Sequence, residues 1–155
     1  MSIKIISEAA SKSEIAGRLA KLGPDAERRW GKMNAHQMVC HLNDSLLIVT
    51  GELKGQDRSN FLNRTLVKFA ALRVPMQWPP GVKTVPEIDQ AAGAGTPPAE
   101  CDRDRARLLE SIERFAAPRR DFAFAPHPIF GAMTEWEWMR WAYLHNDHHL
   151  RQFGV

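Results

Sequence analysis

The chain carries three histidines close together near its C-terminal end, in His145-Asn-Asp-His148-His149. On a helix, His149 lies one turn beyond His145, about 40° round the axis and roughly 6 Å along it. That spacing lets two imidazoles chelate one divalent ion, and His148 offers a second pairing with His145 at i, i+3. A third imidazole, His41, projects from the middle of another predicted helix. A lone histidine there is more often a hydrogen-bonded core residue than a ligand; beside the C-terminal pair it completes a set of three neutral donors. Three histidines leave a coordination position open, the arrangement of a catalytic rather than a closed structural site. Because an imidazole must be neutral to ligate, metal holding is expected to weaken as pH falls through about 6.5.

Other side chains sit within reach of that set. Gln152, one turn past His148, could hydrogen-bond a bound ligand. Asp44, one turn after His41, could orient that ring or act as a base, although a solvent-facing role is the plainer reading. Asp44, Gln152 and His148 are candidates for catalytic roles, and the candidate metal ligands are His41, His145 and either His149 or His148. Asp147 lies about 160° round from His149 and points outward. His36 is read as exposed. His127 stands in a loop between two prolines, where ligand, cap and solvent contact all remain open.

Helices must position these groups. Thr134 with Glu137 forms a capping box that starts the last helix, along which Trp138, Trp141, His145, His148 and Gln152 share a stripe. Asn34 with Gln37 starts the His41 helix, which stops at Thr50-Gly51. Ser11 with Glu14 reads as a third box, opening a short N-terminal helix that ends at Gly23-Pro24. A helix from about Asn60 to Leu72 ends before Pro75. Thr96-Pro97-Pro98 reads as the start of a fourth long helix, with Leu108, Leu109, Ile112 and Phe115 on one side. Its other side, including Asp104 and a Glu110–Arg114 pair, reads as solvated. Trp30, in a polar linker, is expected to pack on the helices. The segment Arg73–Pro98 is long and rich in Pro and Gly. Its first half reads as a packed cover and Ala91–Thr96 as mobile, with the most protease-sensitive site near Ala91–Gly95.

With 155 residues and 44% hydrophobic content the chain is read as one domain, 1–155, with a proper core. No apolar run approaches the roughly 20 residues of a membrane span. The N-terminal segment is too short in apolar residues for a secretory signal, so a cytoplasmic protein is expected. Cys40 and Cys101 have no zinc-ribbon spacing and are read as reduced thiols. The net charge of +3 comes without a dense Lys/Arg tract, so no nucleic-acid partner is expected. Phosphate-binding loops and nucleophile elbows are absent from the sequence.

Four amphipathic helices plus a short N-terminal one suggest an all-α bundle, and bundles build metal sites from facing helices. The mid-helix histidine, the long excursion and the final HxxxH together resemble the DinB/YfiT-like superfamily of helical-bundle proteins, regarded as metalloproteins. The stretches W-G-K-M-N-A-H-Q-M-V-C-H-L (30–42), H-P-I-F-G (127–131) and H-N-D-H-H-L-R-Q-F-G (145–154) resemble an uncharacterised subgroup of it, defined by a domain of unknown function. The resemblance implies a four-helix bundle of up-down-down-up connectivity, often a homodimer. It implies zinc or nickel held by His41, His145 and His149, with His148 lining the pocket. It also implies a small-molecule substrate or a small thiol. Three functions stay open: a metal-dependent thiol transferase or hydrolase, a metal-binding or stress-response module without turnover, and a helical interaction protein without metal.

Overall fold

The computed structural model describes residues 3–155; Met1 and Ser2, which open the N-terminal segment assessed above, lie outside it. Among the described residues there are helices and no strands; one isolated antiparallel bridge joins His127 and Gly131. The helices are α1 (Ala9–Lys21), α2 (Ala35–Val49), α3 (Lys68–Arg73), α4 (Cys101–Ala116) and α5 (Glu135–Gln152). A π-helical turn, Asn63–Val67, leads directly into α3. Short 3-10 turns occupy Pro86–Ile88 and Gln90–Ala92. None of the helices is long and apolar enough to cross a membrane.

α5 is the central element. It packs against α1, α2 and α3, and residues on most of its circumference are buried, from Trp138 to Gln152. Its start is fixed by the expected capping box: the Thr134 hydroxyl accepts from the Glu137 amide at 3.3 Å, and Glu137 accepts from the Thr134 amide at 2.8 Å. α2 begins with the equivalent Asn34–Gln37 box, at 2.8 and 2.9 Å. Two well-marked starts therefore set the register of the two helices that carry His41 and the His145–His149 segment. Asp147 points away from the histidines, as its angular position requires, and accepts from Arg18 Nη1 at 2.8 Å and Arg151 Nε at 2.9 Å, tying α5 to α1.

The other starts differ from expectation. α1 begins at Ala9, so Ser11 lies inside it, buried, and donates to Glu8 Oε2 at 3.3 Å. Ile6 explains the shift: its side chain is fully buried and its amide donates to the Met139 carbonyl at 3.0 Å, which docks the chain on α5 before the helix begins. α4 is capped by Glu100, which accepts from the Asp102 and Arg103 amides at 3.1 and 2.8 Å. Asp104 is buried, not solvated; it accepts from His36 Nε2 and the Ala99 amide at 2.8 and 2.9 Å, so His36 is half-buried rather than exposed. Arg114 pairs with Glu52 and Asp121 instead of Glu110. The stretch 61–73 is helical as expected, but it buries only Leu72 and turns Phe61, Leu62, Leu66 and Phe69 outward.

Residues 74–98 run past His41 of α2 and the histidines of α5, with Trp78, Val85, Ile88 and Gln90 buried; the first half, expected to be packed, is otherwise mostly exposed, Met76 and Val82 included. The part expected to be mobile is held at its two ends, at Gln90 and Thr96, while Ala91–Gly93 between them are exposed. Asp44, fully buried rather than solvent-facing, accepts from the Thr96 amide and hydroxyl at 2.7 Å each and from Gln90 Nε2 at 3.2 Å. Thr96 is thereby spent on the cover rather than on capping α4. Gly95 is required beside it: φ is +83°, and a Cβ there would stand 2.5 Å from Asp44 Oδ2. Removing a buried acceptor strands its donors, each at a cost of about 1–3 kcal/mol. Asp44→Ala should therefore destabilise the protein by about 2–4 kcal/mol and make 91–96 the first site of limited proteolysis, while the wild type resists cleavage there. A wild type cut first within 91–96 would show that the pin does not hold.

Candidate metal centre

The structure brings His41, His145 and His149 together, although over 100 residues separate the first from the others. One ring nitrogen from each lies within 4.8 Å of the other two. The ring centroids of His41 stand 5.3 Å from those of His145 and 4.8 Å from those of His149, and His145 and His149 are 4.8 Å apart. All three pairs meet edge to face, so no two rings stack. His41 and His149 are buried, and His145 is half-buried, open towards the space beside it.

Surrounding groups fix how two of these rings are protonated. His41 Nδ1 lies 3.1 Å from the Ile88 carbonyl, which can only accept, so Nδ1 carries the proton and Nε2 carries the lone pair. Gln152 does the same for His149. Its Nε2 donates to the Trp30 carbonyl at 2.8 Å, which orients the amide so that Oε1 faces His149 Nδ1 at 2.9 Å. His149 Nδ1 is then the donor and its Nε2 the lone pair. Gly31, at φ +79°, lets the backbone after Trp30 approach the Gln152 amide, where a Cβ would collide with it. Gln152 thus orients the His149 ring and, at the same time, borders a polar cavity. His41 Nε2 is buried and has no hydrogen-bond partner.

Burial lowers the pKa of all three rings, and of His145 and His149 well below the ordinary value; neighbouring imidazoles push these two further down. The rings therefore stay neutral, and able to ligate, to a lower pH than the 6.5 expected for an ordinary histidine. Asp44 does not orient the His41 ring, which is held by Ile88, and its oxygens are occupied by Thr96 and Gln90.

Two cavities meet at these histidines. One, of about 440 Å³, is lined mainly by apolar side chains, among them Ile48, Val49, Val85, Ile88, Phe130 and Trp141. The other, of about 540 Å³, is more polar and is bounded by Trp30, Lys32, Asp89, His148 and Gln152. His41, His145 and Trp78 line both. His148 stands outside the three-nitrogen group, with its ring 5.7 Å from Trp30 and 6.2 Å from Trp78. Trp30 packs as expected, and Trp78, expected only as part of the cover, is a wall of the site.

The role of His127, left open by the sequence, and a second cluster that the sequence did not suggest are both defined by tertiary packing. His127 is buried at the apolar cavity; Nδ1 accepts from the Ile129 and Phe130 amides at 3.1 Å each, and burial pushes its pKa down to about 3. The tight turn in Pro-His-Pro-Ile-Phe-Gly was the available signal. His36, Cys40 and Asp104 form a second group whose ligand atoms lie within 4.8 Å of one another. Its polar atoms are already engaged: Asp104 Oδ2 lies 2.8 Å from His36 Nε2 and 3.8 Å from Cys40 Sγ. Burial, with Asp104 adding to it, pushes the Cys40 thiol up to about 12, far from a thiolate at neutral pH.

Residues 8–154 match the family described as "Protein of unknown function (DUF1569)", and the chain belongs to that family. No curated protein and no solved structure matches it.

The buried rings make a stability prediction for the metal-free protein. His41, His127, His145, His148 and His149 all have folded pKa values below the ordinary one, with burial as the leading cause. The unfolded chain therefore binds more protons than the folded one below about pH 6.5, and the folded state loses stability as pH falls. Each ring that stays neutral should cost about 1 kcal/mol between pH 7.5 and 5.5. Urea unfolding at the two values should show a drop of several kcal/mol, and an unchanged midpoint would contradict the burial of neutral rings.

Proposed function

We propose that this protein binds one divalent metal ion, zinc or nickel, through His41, His145 and His149, and uses it as a transferase or hydrolase acting on a small molecule. The observation that carries the reading is the His41 ring. Its Nδ1–H is held by the Ile88 carbonyl, its Nε2 lone pair is buried without a partner, and one nitrogen of the ring lies within 4.8 Å of a nitrogen of His145 and of His149. Leaving a buried polar atom unpaired costs free energy, and a cation shared with a nitrogen of His145 and of His149 is a partner that would offset it. A core of self-satisfied histidines leaves no such atom. The Ile88 carbonyl and Gln152 play the part of the outer partners that fix ligand tautomers at metal sites.

When bound, a divalent ion lowers the pKa of a bound water or thiol and polarises a carbonyl or phosphoryl oxygen. The chain's own residues do the rest. The His41–Ile88 and His149–Gln152 bonds hold two lone pairs in place before a ligand arrives. The cover excludes bulk water with Trp78, Val85 and Ile88. The apolar cavity accepts the body of a substrate, and the polar one admits water or a small thiol from the other side of the histidines. The all-helical architecture, with α2 facing α4 and α5, fits the DinB-like bundle that the sequence resembles. A cytoplasmic homodimer is part of the same reading; the outward apolar side chains of 61–69 suit burial in a protein contact.

The test is how substitutions combine. Saturating zinc or nickel at pH 7.5 should raise the melting temperature of tag-free protein by about 5–10 °C, the effect of roughly 3 kcal/mol of ligand stabilisation on a domain of this size. Each of His41→Ala, His145→Ala and His149→Ala should remove most of that shift. A second substitution should add less than its own single effect, because the three act as a unit. Cys101→Ser should keep the full shift. Turnover on a panel of thiols and electrophiles should require the ion and vanish in His145→Ala. A shift absent from the wild type, or retained in His41→Ala, would rule out this ligand set.

A further inference from the structure

His41 and His145 line the apolar cavity, and His127 adds a separate polar group to its lining. That ring is not free to change its role. Both the Ile129 and Phe130 amides point their N–H groups at Nδ1, each at 3.1 Å, so Nδ1 must supply the lone pair. The neutral ring then carries its proton on Nε2. The loop itself is braced: His127 and Gly131 exchange both backbone hydrogen bonds at 2.8 Å, and the imidazole stacks on Phe130 with centroids 4.7 Å apart. No protein acceptor takes the Nε2–H among the hydrogen bonds of the described residues, and Nε2 is not among the buried unpaired atoms. An N–H donor is therefore built into the cavity wall and left for something else to use.

Trp141 sets its distance from the histidine triad. The indole packs against His127 on one side, at 5.3 Å and edge to face, and stacks on His145 at 5.1 Å and 24°. The donor and the triad are thus about one indole apart along an apolar wall. No Asp or Glu lines this cavity, so it suits a neutral or anionic guest better than a cationic one.

We propose that His127 is a specificity-determining donor, and that the ligands of this cavity are elongated, mainly apolar molecules with two polar ends. One end is a metal-binding group that reaches the histidine triad, and the other is a carbonyl or similar acceptor that takes the His127 Nε2–H. The proposal rests on the metal reading for the first end only; the second end depends on the tautomer and the cavity. A ligand that displaces water from this N–H without offering an acceptor leaves the donor unpaired, so the site discriminates against ligands lacking the acceptor.

The test uses two probes of equal length, octanehydroxamic acid and 7-oxooctanehydroxamic acid, which share a metal-binding head and differ by one ketone. Calorimetry on the zinc-loaded protein should show the ketone binding roughly 5- to 10-fold more tightly, the worth of one hydrogen bond in a dry site. His127→Asn keeps a side-chain acceptor for the Ile129 and Phe130 amides but has no donor that reaches as far. It should bind the plain chain as the wild type does and lose the preference for the ketone. Long-range proton–nitrogen spectra of the metal-free wild type should show His127 protonated on Nε2 alone. A proton on Nδ1, no ketone preference in the wild type, or the same preference in His127→Asn would each overturn the proposal. Should the protein take up no zinc, the metal reading fails, and the ratio of the two probes on metal-free protein still decides the role of His127.

Discussion

Burying an imidazole is costly unless each of its nitrogens has a partner, and this fold buries several of them beside one another. The structure around the site follows from that demand. Ile88 must bring its carbonyl to His41, which requires residues 74–98 to fold back over α2. Gln152 must turn its amide oxygen to His149, which requires the Trp30 carbonyl to hold its other end. His127 must receive two amides, which requires the tight turn at 127–131. After these obligations are met, His41 Nε2 and His148 Nδ1 are still without a hydrogen-bond partner. The cover, the linker and the turn thus have a common role in fixing which nitrogen carries the proton in the His41, His149 and His127 rings.

Asp44 links this local chemistry to the stability of the cover. It lies one turn beyond His41 on the same helix, and it holds Thr96 and Gln90 while His41 holds Ile88. Two successive turns of α2 therefore clasp the same segment at two places, once through a ring and once through a carboxylate. The segment in turn contributes Trp78, whose indole N–H is fixed on the Ala71 carbonyl at 2.9 Å at the end of α3. The wall shared by the two cavities is consequently tied to α2 and α3, not left as a loose flap.

Much of this was legible in the sequence where local rules governed. Thr134 with Glu137 and Asn34 with Gln37 marked helix starts because the two boxes are satisfied within a few residues. Helical geometry then placed His145 and His149 on one face. What brought His41 to them was resemblance plus position, since nothing local ties α2 to α5. The failures are tertiary. Ser11 and Thr96 have capping chemistry but are used otherwise, because Ile6 docks early and Asp44 claims Thr96. Asp104 and His36 sit at polar-looking positions and bury one another across α2 and α4. The glycines of 91–96 suggested motion because the sequence could not show that Asp44 would fold inward beneath them.

The central claim is that three imidazoles, and no sulfur, hold one divalent ion. X-ray absorption at the zinc edge, on protein purified without a histidine tag and loaded with one equivalent, reads that directly. The account predicts light-atom scattering at about 2.0–2.1 Å with the outer-shell pattern of about three imidazoles and no sulfur at about 2.3 Å. A sulfur shell would place the ion with His36, Cys40 and Asp104 instead, and the absence of any tightly held zinc would contradict the account altogether.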